Sequence, residues 1–302
     1  MKREHWREKM LDGGIWTGPI MDQHIHLDRG NRFLGAIDEF SQSGGTAIML
    51  VHKPGFSGAL PSDLEGYRSA YSETISMAEA VRKKKGIEVG VVLGPHPVVW
   101  DVQADQIGIE RSTELHIEAV GLALDMIESG DAVCLGEVGR PHYDVEPERW
   151  ESANEVLLEI MSLAAGQKVP IQLHVEDRGA DTCREIAAMC DSSGLQRSNA
   201  IRHYSPPDIS VEFTSGLSST VNMGKGSVEG LIETMALSDS KWGMETDFLD
   251  DPRRPGAVLG PKTVPKRTQK LCSSLLKSGW EDDEVTSLML NIHETWPNDL
   301  YS

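Results

Sequence analysis

The stretch GPIMDQHIH, residues 18–26, decides the fold of this chain. It is a short, largely apolar run that ends in two histidines, His24 and His26, separated by one residue. Successive side chains of a β-strand point to opposite faces, so these two imidazoles lie on the same side. The stretch therefore predicts a buried strand that carries a pair of histidines at its carboxyl end.

Seven further runs of this kind follow, each succeeded by a longer amphipathic stretch. The predicted strands are 18–26, 46–52, 87–94, 132–138, 170–175, 199–203, 219–223 and 242–247. The predicted helices are 31–43, 65–85, 108–129, 147–166, 179–193, 207–215, 227–239, 263–278 and 281–292. Alternating strands and helices favour a parallel sheet, and eight such units in about 250 residues predict a closed (β/α)8 TIM barrel of the α/β class. A doubly wound open sheet is the alternative.

The chain contains no tract typical of a linker, which favours one domain. Residues 16–302 are predicted to form the barrel, and residues 1–15 a short N-terminal arm. The longest connections are 53–64, 95–107 and 250–262, and all three follow the carboxyl ends of predicted strands. Barrel enzymes build their active sites at that end, so these connections are expected to surround the site.

Composition excludes several classes of protein. Of 302 residues, 39% are hydrophobic and 25% charged, as in ordinary globular proteins. No apolar run approaches the ~18 residues that span a bilayer, so no membrane partner is expected. The four cysteines lie far apart, which fits reduced thiols in the cytoplasm. The net charge of −18 argues against tight, non-specific binding of long nucleic acid.

Five of the eight predicted strands end in side chains that bind metals. These side chains are His24 and His26, Glu137, His174, His203 and Asp247. Each alone could be a core histidine or a helix cap, but chance is a poor explanation for all of them at converging strand ends. Imidazoles and carboxylates without thiolates select a divalent ion such as zinc, manganese, iron or magnesium. A carboxylate between two histidine-rich groups also suits a bridged two-metal site, so one or two ions are expected.

Six local motifs occur in a characteristic order along the predicted barrel. They are DQHIHLD (22–28), GPHP (94–97), GEVG (136–139), LHVED (173–177), HYSPP (203–207) and METD (244–247). Together they resemble the TatD-related metal-dependent hydrolases of the amidohydrolase superfamily. The resemblance implies a TIM barrel that binds one or two divalent cations. It also implies hydrolase activity, because several members of the family cleave phosphodiester bonds in DNA.

The resemblance also implies roles for individual residues. His24, His26 and Asp247 would hold the first ion, Glu137 would bridge both, and His174 with His203 would hold the second. His96 matches a histidine that contacts substrate phosphate. The chain departs from the family where GEVG continues as Arg140-Pro141-His142, which indicates an outlying subgroup and leaves the substrate open.

The predicted chemistry is attack by a metal-activated water on phosphorus or carbon. Asp247, at the end of the last strand, is the candidate proton acceptor. His96, Arg140 and His142 are candidates to stabilise charge on substrate oxygens. Segment 252–267 contains five basic and no acidic residues, and its Arg253, Arg254 and Lys262 are predicted to form a cationic lip for an anionic substrate.

Three functions remain open on the sequence. The leading one is hydrolysis of phosphate esters, plausibly as a nuclease, on a nucleotide, a small phosphate ester or a short DNA end. The second is hydrolysis of C–N, lactone or phosphotriester bonds on the same metal site. The third is a barrel that binds metal without catalysis. Sequence does not decide the oligomeric state.

Overall fold

The strands form one parallel sheet that curls into a barrel. The computed structural model describes residues 10–55, 60–253 and 259–301. The parallel strands are β3 (Met21–His26), β4 (Ala47–Val51), β5 (Glu88–Leu93), β6 (Cys134–Gly139), β7 (Ile171–His174), β8 (Ala200–Ser205), β9 (Ser218–Asn222), β10 (Trp242–Glu245) and β11 (Phe248–Leu249). Their order in the sheet is β10-β9-β8-β7-β6-β5-β4-β3-β11, so from β3 to β10 neighbours along the chain are neighbours in the sheet.

Helices connect the strands and cover the outside of the sheet. They are α1 (Leu34–Gln42), α2 (Leu64–Lys85), α3 (Pro97–Ile107), α4 (Ile109–Glu128), α5 (Pro147–Gln167), α6 (Ala180–Ser193), α7 (Val211–Thr214), α8 (Ser227–Thr234), α9 (Thr263–Lys277), α10 (Asp282–Leu290) and α11 (Trp296–Leu300). Every residue of β3, β4 and β6 is buried, as expected for parallel strands that are covered on both faces.

The last strand closes the barrel in two pieces. β10 pairs with β9, whereas β11 pairs with β3, and only two residues separate β10 from β11. The backbone N–H of Asp247, in that interruption, donates to the carbonyl oxygen of His24 at 3.1 Å. The ends of the sheet therefore meet, and the predicted TIM barrel is confirmed in place of the open sheet.

Two helices were missed by the sequence patterns, α3 and the short α11. Segment 95–107 is expected to be an irregular connection, but α3 occupies Pro97–Ile107. His96 is its N-cap, since its Nδ1 accepts from the backbone N–H of Val98 at 3.1 Å, and Pro97 occupies the first turn. The expectation was wrong because a histidine cap is not a usual helix-start signal. The helix expected at 207–215 is shorter than predicted, because only Val211–Thr214 is helical.

Residues 10–17 of the predicted arm and its junction form a small hairpin on the barrel. Its strands are β1 (Leu11–Asp12) and β2 (Ile15–Trp16). The Trp16 ring is buried in a cluster of side chains from α9, α10 and the last strands, and its backbone exchanges two hydrogen bonds with the Gln269 amide. Residues 1–9, the rest of the predicted arm, lie outside the described residues.

The structure also shows the state of the cysteines and the character of the helices. Cys134, Cys183, Cys190 and Cys272 are all buried and none forms a disulfide. Among the residues that the structure describes, no helix combines the length and apolar character needed to cross a bilayer.

β6 packs closely against β7 because residue 139 is glycine and has no side chain. A methyl group on Gly139 would lie 1.8 Å from the carbonyl oxygen of His174, so Gly139→Ala must push these two strands apart. We expect it to lower the free energy of unfolding by at least ~2 kcal/mol. The matched control is Gly121→Ala in α4, where nothing lies within 4 Å of the new methyl group. It should raise stability by up to ~1 kcal/mol, because alanine favours a helix. Urea denaturation of both variants is the test, and equal midpoints would contradict this account of the packing.

Candidate metal centre

The carboxyl ends of five strands bring the six predicted ligands into one cluster. His24 and His26 come from β3, Glu137 from β6, His174 from β7, His203 from β8, and Asp247 from the break between β10 and β11. Three overlapping groups have potential ligand atoms within 4.8 Å of one another. They are His24 with His203 and Asp247, His24 with His26 and Glu137, and His96 with Glu137 and His174.

The first half of the cluster is built on β3. The Nε2 atoms of His24 and His26 lie 3.1 Å apart. Asp247 Oδ1 is 3.8 Å from His24 Nε2 and 3.5 Å from His26 Nε2. Two nitrogens and a carboxylate oxygen thus converge from the two strands that close the barrel.

The second half of the cluster is built on β7 and β8. His174 Nδ1 and His203 Nε2 also lie 3.1 Å apart. The sequence motifs LHVED and HYSPP place these residues at the ends of adjacent parallel strands, where the two side chains meet at the barrel mouth. The two halves are joined by ring stacking between His24 and His203, whose centroids are 4.2 Å apart.

Glu137 lies between the two halves and uses one oxygen for each. Its Oε2 is 3.7 Å from His24 Nε2 and 3.4 Å from His26 Nε2. Its Oε1 is 2.8 Å from His174 Nδ1 and 2.9 Å from His203 Nε2. Burial alone would raise the pKa of this carboxyl, but the charge of His203 and hydrogen bonds from His174 and His203 hold it well below its usual range. The group is therefore an ionised carboxylate with the geometry of a bridge.

These separations fit divalent metal ions. Two nitrogens bound to one zinc ion at about 2.0–2.1 Å lie ~2.8–3.4 Å apart for angles between a right angle and the tetrahedral angle. Both histidine pairs have separations of 3.1 Å. The tautomer of His26 also fits, because its Nδ1–H donates to the carbonyl oxygen of Val51 at 3.1 Å and leaves a lone pair on Nε2. Nitrogen lone pairs and carboxylates packed at these distances repel one another unless protons or metal cations lie between them.

Glu245 supports His203 and was not singled out from the sequence. Its Oε1 lies 3.5 Å from His203 Nδ1 and accepts from the backbone N–H of Tyr204 at 2.8 Å. Its Oε2 accepts from the hydroxyl of Thr220. Glu245 is fully buried and is the last residue of β10, two residues before Asp247, so the spacing of the two acidic residues in METD carried the signal.

Asp22 is a second buried carboxyl that the sequence left without a role. Its Oδ2 accepts from the Thr246 hydroxyl at 2.6 Å and its Oδ1 from the Thr246 backbone N–H at 3.0 Å. Burial raises the pKa of Asp22 to about 7 against the lowering effect of these hydrogen bonds. Asp22 therefore ties β3 to the residue that precedes Asp247, and alternation with His24 was again the signal.

His96 lies at the edge of the centre with a defined tautomer. Because its Nδ1 accepts from Val98 N–H, the neutral ring carries its proton on Nε2, which is 3.7 Å from Glu137 Oε1. Burial and the neighbouring His174 lower the pKa of His96 well below its ordinary value. The ring is thus a neutral N–H donor beside the cluster, a position compatible with its predicted contact to substrate.

Arg140 is hydrogen-bonded to protein side chains and does not match its predicted role in stabilising charge on a substrate. Its guanidinium, 2% exposed, donates to both carboxylate oxygens of Glu176, to Glu185 and to Asn154. Since all of its nitrogens have protein partners, these contacts favour a structural role in the barrel wall over charge stabilisation on a substrate. The sequence could not anticipate this, because Glu176 and Glu185 follow a different strand.

His142 is exposed and contacts a predicted ligand. Its Nδ1 lies 2.7 Å from His174 Nε2, while the other nitrogen of that ring faces Glu137. For His174 Nδ1 to bind a metal, Nε2 must carry the proton and donate it to His142. The predicted substrate contact of His142 stays a prediction, and its observed contact is with His174.

The described residues of the predicted lip are paired with acids. Arg253 forms an ion pair with Asp251, which lowers the pKa of that carboxyl. Lys262 Nζ lies 2.9 Å from Glu39 Oε1. Arg254 lies outside the described residues. A role of this lip in binding an anionic substrate stays a prediction, and the pairing reduces the positive charge that it offers.

Comparison with known proteins places the chain among metal-dependent hydrolases. The family profile described as TatD related DNase matches residues 21–295. An uncharacterized protein of Methanocaldococcus jannaschii is 29% identical over 276 residues, which is 88% of this chain and 90% of that protein. The crystal structure of a TatD homologue from Escherichia coli has a TM-score of 0.61 at 17% identity, covering 93% of this chain and 97% of its own. The phosphotriesterase homology protein from Escherichia coli, with phosphate in its active site, has a TM-score of 0.61 at 14% identity, covering 95% and 99%.

Glu137 and Asp247 are expected to respond differently to loss of charge. Glu137→Gln removes the oxygen charge shared by both halves, so the bound metal per chain should fall together with turnover. Asp247→Asn keeps a neutral oxygen ligand but loses the proton acceptor, so it should retain most of the metal at saturating concentration. Its turnover should fall ~10²–10⁴-fold, the usual contribution of a general base. Elemental analysis of both purified variants gives the metal bound per chain, and their rates at saturating manganese give the turnover. An active Asp247→Asn, or a Glu137→Gln variant with wild-type metal affinity, would show that the roles are misassigned.

His142 is expected to act through His174. His142→Ala removes the acceptor of the His174 Nε2–H, and we expect metal affinity to fall by up to ~10-fold. His142→Asn is the matched control, because its side-chain oxygen occupies nearly the position of Nδ1 and keeps an acceptor. Calorimetric titration of manganese into the three proteins measures the effect. If the alanine and asparagine variants bind metal alike, His142 does not position His174.

Proposed function

This chain belongs to the TatD-related DNase family, and we propose that it hydrolyses phosphate ester bonds with two divalent ions, zinc, manganese or magnesium, held at its metal centre. The family and the fold support a hydrolase. We propose three further properties: the bond that it cleaves, its natural substrate and the number of bound ions.

The bridging geometry of Glu137 carries this proposal. One carboxylate serves two histidine pairs, with Oε2 facing His24 and His26 and Oε1 facing His174 and His203. Two ions about 3.5–4 Å apart stabilise both the attacking and the leaving oxygen of an in-line displacement at phosphorus. A cluster of this kind is therefore better suited to phosphate esters than a single-ion site.

The residues around the cluster have complementary tasks in such a reaction. Ions bound there would supply Lewis acidity and activate water near neutral pH. Burial alone would raise the pKa of Asp247, but the neighbouring imidazoles of His26, His24 and His203 lower it, so the group is a carboxylate that can accept a proton. His96, with its proton on Nε2, can donate to a substrate oxygen that bears developing charge.

Charge favours a small substrate over long duplex DNA. The chain carries a net charge of −18, which repels a long polyanion. Arg253 and Lys262, which the sequence assigned to a cationic lip, are paired with Asp251 and Glu39. The Escherichia coli phosphotriesterase homology protein, which shares the fold, has phosphate in its active site. We therefore propose a nucleotide, a small phosphate ester or a short DNA end as the substrate.

A substrate panel tests the proposed bond. Purified protein loaded with manganese, magnesium or zinc is assayed on a phosphodiester, a phosphomonoester, a phosphotriester, a lactone and an amide, with a short oligonucleotide and a long duplex alongside. We expect metal-dependent turnover of the phosphomonoester or phosphodiester, and faster cleavage of the short oligonucleotide than of the long duplex. Glu137→Gln is the control for contaminating enzymes, because it should lose the activity.

Other outcomes of the panel identify the alternatives. Turnover restricted to the lactone, amide or phosphotriester would overturn the phosphate ester proposal in favour of the second function considered above. Tight metal binding without turnover of any member would indicate a barrel that binds metal without catalysis.

A further inference from the structure

A cavity of about 570 Å³ lies beside the metal centre and none of the proposed chemistry uses it. Its walls come from the segments after β3, β4 and β5 and from the first half of α2. Tyr67, Ala70 and Thr74 of α2 face it, together with His52 and His96. Its size falls in the range of roughly 300–1,000 Å³ that is usual for small-molecule sites.

His96 joins the cavity to the metal centre. The ring lines the cavity, and its Nε2 is 3.7 Å from the bridging carboxylate of Glu137. A molecule that reaches one ion with one end can therefore place its other end in the cavity. The organic group of a phosphate ester extends away from the phosphate, so it would enter the cavity.

The charged groups that line the cavity neutralise one another. Lys53 Nζ contacts Asp28, and Arg29 Nε donates to Glu73 at 2.7 Å. Burial lowers the pKa of His52 to about 4, so its imidazole is neutral at pH 7. Two cations and two anions in pairs leave no net charge for a second phosphate, in contrast to a channel that follows a nucleic-acid backbone.

The remaining lining is uncharged and combines apolar side chains with the hydroxyls of Ser62, Ser69 and Thr74. Tyr67, Met77 and Val99 contribute buried apolar surface. The Thr74 hydroxyl donates to the carbonyl oxygen of Ala70 at 3.2 Å, so it accepts from His52 Nδ1–H at 3.1 Å. His52 Nε2 thus keeps its lone pair and can accept from an O–H or N–H group.

From these observations we infer that the cavity binds the uncharged, ring-sized organic group of a phosphate ester whose phosphate lies at the metal centre. The inference rests on the proposed function and narrows it. The substrate has one phosphate attached to a neutral group that is partly apolar and can donate a hydrogen bond, and discrimination between substrates resides in α2 and His52 rather than in a basic lip.

Binding of non-hydrolysable phosphonates tests this inference without any need for turnover. Inorganic phosphate, methylphosphonate and benzylphosphonate are titrated calorimetrically into the manganese-loaded protein. Burial of the phenyl ring should make benzylphosphonate bind at least ~10-fold more tightly than methylphosphonate. Ala70→Phe, which fills the cavity from a half-buried position of α2, should abolish most of this preference.

The matched control is Ala80→Phe, at another half-buried alanine of α2 that is not among the cavity residues, and it should keep the preference. If Ala70→Phe does not fold, Ser69→Phe enters the cavity from an exposed position and should likewise remove the preference. Equal binding of the two phosphonates to the unaltered protein, or an unchanged preference in the filled variants, would overturn the inference. Failure of the unaltered protein to bind inorganic phosphate and both phosphonates would instead overturn the proposed function.

Discussion

The carboxylate of Glu137 is buried between two pairs of imidazole nitrogens, and the arrangement of the barrel mouth depends on it. Nitrogen lone pairs at 3.1 Å within each pair repel one another unless protons or cations lie between them. A buried anion that faces both pairs offers a place for positive charge on each side. The chemistry proposed for this chain follows from that arrangement, since two cations held by one bridge would define where a phosphate can bind.

The backbone of the closing strand positions the remaining ligand. Asp247 has a positive φ of 50°, a conformation that few residues other than glycine adopt. It interrupts the strand between β10 and β11, and the hydrogen bonds of Thr246 with Asp22 hold this interruption against β3. The step that closes the barrel is therefore the step that brings Asp247 to His24 and His26. Fold and site are fixed by the same contacts.

The strands and the clustering of the six candidate ligands were accessible to sequence reasoning because both follow from local patterns. Runs of apolar residues that end in His24, Glu137 or Asp247 predict strand ends, and parallel strand ends meet at one rim. The partners of Arg140 and His142 were not accessible, because Glu176 and His174 approach them only through packing of separate units. The helix at Pro97–Ile107 was missed because its cap, His96, was interpreted only as a substrate ligand.

The claim that Glu137 bridges two ions is tested most directly by electron paramagnetic resonance during a manganese titration of the metal-free protein. The account predicts that the signal of isolated Mn²⁺ is replaced, as the second equivalent binds, by the spectrum of a magnetically coupled pair. Saturation at one ion per chain, or two bound ions without magnetic coupling, would contradict it.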